Sequence, residues 1–410
     1  MALAAPAPAP AAAPPAHRSG TAAVVVPADA GDLYLPALAR RGWNSVAVTT
    51  PAAHPISDGY LRHITHRSSL RRTAAHLENL GVQAVIAGSP AGTELADRLA
   101  DRLHLPGNAA DNADIRRDTG FTGAALLDAG LTAPRSIRTT RLSDALNWAA
   151  FTQVSGLVLQ HPDPAHPHPG HFCRTADDIT HAWRRLQRSA SQPLVLREHL
   201  TGTQFRIHTL TGPGPDGSTD HTITSIWSET RAPNQQVCRA DLLSQRGLLA
   251  RALALYTMRA LTALGVSYGP AHAVVTFIPD RGPALLSLRT DTYADFASGV
   301  LRRATGHDPI RDTVLLLTSG RHQTPQHRQI HVTKVALLPQ HDGALDPALL
   351  RTISTLPTVA ATTELNADTP VRAGQIAGRL LLVADDSRAI NQDYHVIRAA
   401  ENLGLYEGPA

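Results

Sequence analysis

Lysine is nearly absent from this chain of 410 residues, because 37 of its 38 basic side chains are arginine and Lys334 is the single lysine. This scarcity excludes any mechanism that needs two lysines. Lys334 alternates with apolar residues in IHVTKVALL, so we expect it to face solvent from a strand and not to act as a catalytic amine. Cysteine is also scarce, since the chain has only Cys173 and Cys238. Two cysteines are too few for a disulfide framework, and we expect a protein of the reducing cytoplasm.

Long apolar runs and charge of one sign are missing as well. No stretch of about 18 apolar residues occurs, so we expect no membrane partner. The formal net charge is only +4, and the arginines are scattered among acidic residues, which does not favour nucleic acid as a partner. Residues 1–20 are mostly alanine and proline and do not begin with basic residues as signal peptides do. We expect them to form a disordered leader.

The order of the remaining segments predicts an α/β (α+β) protein with a parallel part followed by antiparallel parts. Over 21–110, β-branched apolar runs alternate with amphipathic helices, as in a doubly wound parallel sheet. Over 111–200, the pattern predicts a small domain that includes one amphipathic helix at 115–130. Over 201–410, alternating strands predict antiparallel hairpins around a helix at 246–264. Further short strands are predicted at 313–317, 330–338 and 378–386.

Six segments, taken in order, resemble the ATP-grasp superfamily. They are LADRLHLPGN, RRDTGFTGAALLDAGLTAPRS, LVLREHLTGTQF, LGVSYGPAHAVV, GPALLSLR and NQDYHVIRAAENLGLYE. The likeness covers roughly residues 21–408 and is nearest to carboxylate–amine ligases that join amino acids, such as the bacilysin-type L-amino-acid ligases. It implies an ATP-grasp fold with an N-terminal doubly wound α/β domain at 21–110, a small central domain at 111–200 and a C-terminal antiparallel domain at 201–410. ATP would lie between the last two.

Ligases of this kind activate a carboxylate as an acyl phosphate, which an amine then attacks. The phosphate charge that moves in the transition state needs preorganised cations, and the resemblance implies two lysines with ATP and Mg²⁺ as cofactors. The first lysine position follows Asp118 and holds Thr119, and the second ends a strand and holds Gln160. Threonine and glutamine donate hydrogen bonds but carry no charge. Arg116 and Arg117 lie close in sequence to the first position, and we interpret them as surface residues at the start of a helix.

The two acidic positions that hold Mg²⁺ in the family are also replaced. The first lies two residues after His272 and holds Val274, and the second lies in the next strand and holds Ser287. Neither side chain is the anionic oxygen ligand that Mg²⁺ prefers. The catalytic arginine of the family is matched by Asp291, and Arg289, two residues earlier, is a candidate for its displaced replacement.

Other positions keep the family pattern. Glu198 matches the segment that faces adenine and ribose, Gly202 follows at the expected distance, and His272 keeps its turn. Glycine and proline also persist in such turns for folding alone, so both interpretations stay open. The candidate cofactor-binding residues are Glu198, Gly202, Thr119 and Gln160. The candidates for binding an amino-acid-like substrate are His272, Arg289 and Asp291, of which Arg289 and His272 are also the catalytic candidates.

A stretch rich in histidine and proline, residues 161–173, stands where the family has a glycine-rich loop over the phosphates. Each proline removes a backbone donor that could hold phosphate. Imidazole and thiolate groups at these spacings could instead bind zinc or another transition metal. The spacing matches no standard zinc finger, however, and a solvated loop is the simpler interpretation. The weak metal-ligand candidates are His166, His168, His171 and Cys173.

Three interpretations of function follow from these replacements. The first is a degenerate ATP-grasp protein of specialised metabolism that has lost ATP and Mg²⁺ chemistry and binds a small ligand or acts as partner to an active ligase or as a homodimer. The second is a divergent but active carboxylate–amine ligase, in which Arg206 or Arg289 neutralises phosphate and Asp291 with Asp295 holds the metal. The third is an ATP-independent enzyme that reuses the cleft, with the histidine-rich loop contributing to its chemistry. The replacements favour the first.

Overall fold

The computed structural model describes residues 19–51, 57–154, 156–163, 166, 170–187, 189, 191–292, 297–321, 330–363, 365 and 370–407. The predicted leader at 1–20 therefore lies almost wholly outside the described residues. So do two of the candidate positions, His168 and Asp295.

The N-terminal part is a parallel sheet with helices on both faces. Its elements are β1 (Thr21–Val25), α1 (Tyr34–Ala39), β2 (Asn44–Thr49), β3 (Arg62–Thr65), α2 (Leu70–Asn79), β4 (Val82–Ala87) and α3 (Thr93–Arg102). The strand order is β3-β2-β1-β4, and every pairing is parallel. The strands β1, β2 and β4 are almost entirely buried, because apolar side chains cover both faces of a parallel sheet.

The central part is a small antiparallel sheet with helices packed on one side. Its elements are α4 (Ala113–Arg117), α5 (Thr119–Asp128), β5 (Ser136–Thr139), α6 (Leu142–Thr152), β6 (Leu157–Gln160), β7 (His171–Cys173), α7 (Ala176–Leu186) and β8 (Leu194–Glu198). The strand order is β5-β8-β6-β7. The buried side chains of Leu159, Trp183 and Leu196 form its core with their apolar neighbours.

The single helix predicted at 115–130 is wrong, because the chain breaks into α4 and α5 at Asp118. Asp118 has an extended backbone and caps α5, its side chain accepting hydrogen bonds from the backbone N–H groups of Gly120 at 2.9 Å and Phe121 at 3.4 Å. An aspartate at this position satisfies helix N–H groups that would otherwise lack partners. The apolar periodicity runs across the break and does not reveal it.

The C-terminal part is a large antiparallel sheet. Its elements are β9 (Thr203–Pro213), β10 (Thr219–Arg231), β11 (Val237–Leu242), α8 (Leu248–Ala263), β12 (Gly269–Ile278), β13 (Gly282–Arg289), α9 (Ser298–Thr305), α10 (Pro309–Ser319), β14 (His331–Leu337), β15 (Gly343–Ala344), α11 (Pro347–Ser354), β16 (Val359–Thr363), β17 (Pro370–Val371), β18 (Gly378–Ala384) and α12 (Ser387–Asn402). The strand order is β13-β12-β9-β10-β11-β14-β18-β16. Helix α8 packs its buried side chains, including Leu253 and Leu261, against strands β9, β10, β12 and β13.

The strand predicted at 313–317 is wrong, because these residues lie inside α10. Asp308 caps the helix by accepting a hydrogen bond from the backbone N–H of Arg311, Pro309 occupies its first turn, and Gly320 ends it in a left-handed conformation. Val314 and Leu317 pack against the N-terminal sheet beside α1. The β-branched and leucine run therefore forms a helix that covers a sheet from the N-terminal part of the chain.

The predicted fold class is confirmed, since a parallel N-terminal sheet is followed by a small and then a large antiparallel sheet. Sheet membership changes after α3 and again after β8, while α10 returns to cover the first sheet. The boundaries at 110/111 and 200/201 stay predictions. Within the described ranges, no helix combines the length and apolarity needed to span a bilayer.

Candidate functional site

A cleft of about 780 Å³ opens between the small central sheet and the large sheet. Strands β6 and β8 form one wall, and β9, β12 and β13 form the other. The lining side chains include Gln160, Phe172, Arg174, Arg197, Gln204, Arg231, Val274, Leu286 and Ser287. A ligand in this cleft would contact both sheets.

Thr119 and Gln160, the two residues that the resemblance matches to the lysines of the ATP-grasp family, lie together here and are hydrogen-bonded to each other. The Gln160 amide donates to the Thr119 hydroxyl at 3.1 Å, and the Arg197 Nε donates to the Gln160 carbonyl oxygen at 2.9 Å. Because a guanidinium only donates hydrogen bonds, the Gln160 oxygen must face Arg197. The three side chains form one ordered chain, with Arg197 at its charged end.

Val274 and Ser287, the two residues that the resemblance matches to the metal carboxylates of the family, are also neighbours. Val274 on β12 and Ser287 on β13 are directly paired across the two strands, and both line the cleft. Among the described residues, no group of three or more His, Cys, Asp or Glu is placed to hold a metal ion. Mg²⁺ prefers several hard oxygen ligands, carboxylates above all. A methyl-bearing side chain and a single hydroxyl do not fit it, so the donor set at this pair does not suit Mg²⁺.

His272, Arg289 and Asp291 lie together at one end of β12 and β13. The Asp291 carboxylate contacts His272 Nε2 at 3.2 Å and accepts from Arg289 Nε at 3.0 Å and Nη2 at 2.7 Å. Burial lowers the pKa of His272 and outweighs the opposing effect of Asp291. Burial alone would raise the pKa of Asp291, but hydrogen bonds and charge from His272 and Arg289 hold that pKa below its usual value. At neutral pH the group is a neutral histidine and an ion pair.

The arginines proposed as phosphate-facing replacements already hold carboxylates. Arg289 binds Asp291 through two nitrogens, as above. Arg206 Nε donates to Glu229 at 2.7 Å, and Arg231 Nη2 donates to the other oxygen of the same buried carboxylate at 2.6 Å. Arg206 and Arg231 therefore share one negative charge and leave one positive charge in excess.

The interpretation of Arg116 as a surface residue is wrong. Its guanidinium is 4% exposed and donates to Asp97 at 2.7 Å and to the backbone oxygen of Ala109 at 2.8 Å. It also reaches the backbone oxygens at the end of α8. Arg117 is half-exposed and bridges Asp163 and Glu94. Arg116 therefore ties the N-terminal part to α8 and does not substitute for a lysine.

Glu198 and Gly202, the cofactor candidates that keep the family pattern, have structural contacts. Glu198 is buried and binds Arg281 at 2.7 Å, with Arg135 at 3.6 Å. A Cβ at Gly202 would lie 2.2 Å from the backbone oxygen of Phe277, closer than any side chain tolerates. The glycine allows the link between β8 and β9 to pass against β12. These contacts are consistent with retention for folding.

The described part of the histidine-rich stretch does not gather its metal-ligand candidates. The rings of His161 and His166 stack with centroids 3.6 Å apart. His171 lies on β7, and buried Cys173 directs its thiol to the His171 backbone oxygen at 3.5 Å. Burial raises the pKa of Cys173, which keeps the thiol protonated. The position of His168 lies outside the described residues.

Lys334 is partly buried and not solvent-facing as expected. Its ammonium lies 3.7 Å from the centroid of the Trp227 ring. The negative face of that ring stabilises the positive charge. It lines a smaller neighbouring pocket with Arg206 and Glu229.

The sequence did not point to Arg197, whose Nε donates to Gln160 beside Thr119. Arg197 lies between Leu196 and Glu198 in a strand, inside the segment LVLREHLTGTQF, but it was not among the candidate site residues. A signal was present, since an arginine interrupts the apolar run LVL before Glu198. Its meaning depends on the register that pairs Val158 of β6 with Arg197 of β8, which the sequence alone does not specify.

No protein-family model matches the sequence. Dapdiamide A synthase of Enterobacter agglomerans, a curated protein, is 21% identical over 259 residues, a match that spans 61% of this chain and 60% of that protein.

Solved structures match nearly the whole chain. The L-amino acid ligase of Bacillus licheniformis has a TM-score of 0.71 and 14% identity, covering 93% of this chain and 97% of that one. The ADP complex of N5-carboxyaminoimidazole ribonucleotide synthetase has a TM-score of 0.70 and 11% identity, covering 93% and 98%. Phosphoribosylglycinamide synthetase of Anaerococcus prevotii has a TM-score of 0.66 and 10% identity, also covering 93% and 98%. The predicted ATP-grasp fold is confirmed.

Proposed function

We propose that this chain binds a small anionic molecule in its cleft and has lost the Mg²⁺-dependent acyl-phosphate chemistry of the amino-acid ligases. One observation carries the proposal: Val274 and Ser287, which the resemblance matches to the metal carboxylates of the family, are cross-strand partners on the cleft wall. The Gln160–Thr119 hydrogen bond supports it, because two uncharged side chains satisfy each other where two cations would meet phosphate.

The expected reduction in rate favours loss of the ligase reaction over slow turnover. Removing one preorganised charge-stabilising donor commonly reduces the rate by about 10²–10³-fold. Groups that act as a unit are not additive, but losing several leaves very little of the original rate. Here the two lysines and the two metal carboxylates of the family pattern are absent together at Thr119, Gln160, Val274 and Ser287.

The likeness to dapdiamide A synthase and to an L-amino acid ligase supports a role in specialised metabolism. In such a role the chain would hold an amino-acid-like ligand, or act as a partner to an active ligase. The buried His272–Asp291–Arg289 group lies at one end of the strands that form the cleft, and we assign it to substrate binding or positioning within this proposal.

A divergent but active carboxylate–amine ligase is the second candidate. The observation that favours it is the cationic character of the cleft, where Arg174, Arg197 and Arg231 could meet phosphate groups. Arginine neutralises phosphate well, but it cannot hold Mg²⁺. Asp163 lines the cleft, yet its carboxylate already binds Arg117 at 2.9 Å.

An ADP-release assay separates the two candidates. The purified full-length chain is incubated with ATP, Mg²⁺ and pairs drawn from a panel of amino acids, and ADP is measured against a reaction without amino acid. We expect no amino-acid-dependent ADP release. Sustained release that depends on one amino-acid pair, and stops when Mg²⁺ is chelated, would establish the active ligase instead.

A further inference from the structure

Arg197 differs from Arg116, Arg206 and Arg289 because, among the described residues, its guanidinium has no carboxylate partner. It is mostly buried, and burial lowers its pKa to about 10, so it stays charged at neutral pH. Within the part of the chain that the structure describes, the one hydrogen bond of its side chain runs from Nε to Gln160 at 2.9 Å. Arg116, Arg206 and Arg289 each bind an aspartate or glutamate.

An unpaired cation in a mostly buried position is costly. Taking a guanidinium out of water loses solvation that one neutral hydrogen bond does not replace. Proteins normally compensate such a charge with a carboxylate or with a bound anion. The described residues supply no carboxylate here, and a bound anion would compensate this charge.

The orientation of Arg197 suits an external partner. Gln160 accepts from Nε, and Thr119 holds the Gln160 amide from the other side at 3.1 Å. The hydrogen bond to Gln160 uses Nε and leaves both Nη groups of Arg197, a residue that lines the cleft, available to a ligand. Two parallel N–H donors on one guanidinium match the two oxygens of a carboxylate or phosphoryl group.

The surrounding charges favour an anion as well. Arg174 lines the same cleft, and the group formed by Arg206, Glu229 and Arg231 carries one excess positive charge. The carboxylate of Asp163 is neutralised by Arg117. The cleft wall is therefore positive even with every histidine neutral.

We propose that Arg197, positioned by Gln160, is the anchor that binds an oxyanion group of the ligand through both Nη groups, without a divalent cation. This inference rests on the proposed function and names the chemical class of the ligand, a small molecule with a terminal phosphoryl or carboxylate group. The cation that contacts the ligand has moved from the lysine positions on α5 and β6 to the neighbouring strand β8.

Calorimetry in EDTA with two probes tests the inference, one phosphoryl (inorganic pyrophosphate) and one carboxylate (L-aspartate). We expect the wild-type chain to bind at least one probe. Arg197→Met should weaken that binding about tenfold to hundredfold, the loss of a charged bidentate contact. Arg197→Lys should bind with intermediate affinity, because it keeps the charge but not the paired donors. Arg184→Met, which removes an exposed arginine from α7 in the same part of the chain, should bind as wild type does.

Thermal unfolding without ligand distinguishes an anchor from a structural residue. If Arg197 awaits a ligand, Arg197→Met should unfold at the same temperature as wild type or higher, because it removes an uncompensated buried charge. The probe that binds wild type should raise the unfolding temperature of wild type but not of this variant.

The outcomes separate the inference from the proposed function. Absence of binding of both probes to wild type at millimolar concentration, or equal binding by wild type and Arg197→Met, overturns the inference. A loss of thermal stability in both Arg197 variants with unchanged probe affinity also overturns it. Amino-acid-dependent ADP release by wild type would instead overturn the proposed function, and the Arg197 dependence in EDTA would still stand.

Discussion

The hydrogen-bond partner of each arginine indicates whether that arginine is structural or is available to a ligand. Arg116 and Arg206 are satisfied by Asp97 and Glu229, and removing either carboxylate would leave a buried charge. Among the described residues, the Arg197 side chain has one hydrogen-bond partner, the uncharged amide of Gln160. The same side chain type therefore has two roles, which differ only in the partner that the neighbouring strands provide.

Gln160→Leu tests the positioning of Arg197 at this scale. The variant keeps the volume of the side chain but removes both the acceptor for Arg197 Nε and the donor to Thr119. We expect the affinity for the oxyanion probe in EDTA to fall several-fold, since the guanidinium loses its fixed orientation. Thr119→Val, which leaves the Arg197 contact intact, is the matched control and should change the affinity less. Equal affinities for wild type and Gln160→Leu would contradict a positioning role.

Buried histidines predict a dependence of stability on pH. Burial lowers the pKa of His208 well below 6.5, and it lowers that of His272 as well. The unfolded chain takes up protons near pH 6.5 that the folded chain does not bind, so the free energy of unfolding should fall as the pH drops below about 6.5. Each histidine that stays neutral contributes about 1 kcal/mol of this loss between pH 7.5 and 5.5.

Urea unfolding at pH 7.5 and 5.5 measures that loss. His208→Gln should lose less stability than wild type between the two values, because glutamine does not titrate. The expectation for His208 is contradicted if wild type and His208→Gln lose the same free energy.

The roles of single residues were the hardest feature to predict from the sequence. Thr119, Gln160, Val274 and Ser287 could be found by matching motifs, and the structure places them in or beside one cleft. Arg197 could not, because its significance depends on the absence of a charged partner. The burial of Arg116 could not be predicted either, because its partner Asp97 lies on α3 and Arg116 itself lies on α4.

At the scale of elements, the link between β8 and β9 joins the two walls of the cleft. Gly202 packs there against the backbone of β12, so it determines how closely the small sheet approaches the large one. The periodicity of the strands on either side could be predicted from sequence, whereas this close approach could not.

Gly202→Ala should destabilise the chain by roughly 1–3 kcal/mol, because the new methyl group would meet the Phe277 backbone oxygen at 2.2 Å and force the strands apart. Gly299→Ala is the matched control. Its Cβ would meet no atom within 4 Å, and alanine favours the helix α9, so stability should stay equal or rise slightly. Chemical denaturation of both variants checks this, and equal stability of Gly202→Ala and wild type would contradict the packing argument.

Helix α10 shows why element type is not always readable from local sequence. Its run TVLLL is typical of a strand, yet Asp308 and Pro309 begin a helix and Gly320 ends it. The helix is stabilised by packing on the distant N-terminal sheet, a contact that no local pattern contains. Strands of the large sheet, such as β9 and β12, were predicted correctly. Apolar and polar residues alternate along them, as they do along the strands with which they pair.

At the scale of the whole molecule, the chain has the ATP-grasp architecture, and we propose that the residues for its usual chemistry are exchanged. The core and the cleft depend on apolar side chains in the sheets and helices, which tolerate changes on the cleft surface. The fold could therefore be predicted from segment order and motif spacing. The activity could not, because fold and function are separable.

The dependence of ATP affinity on Mg²⁺ tests the central claim most directly. Calorimetry of wild type with ATP, once with Mg²⁺ and once with EDTA, is compared with the double variant Val274→Glu/Ser287→Glu, which restores two carboxylates at the cross-strand pair. We expect the wild-type affinity to be no higher with Mg²⁺ than with EDTA, and we expect Mg²⁺ to increase the affinity only in the double variant. Tight ATP binding by wild type that requires Mg²⁺ would contradict the claim that this cleft has lost its metal chemistry.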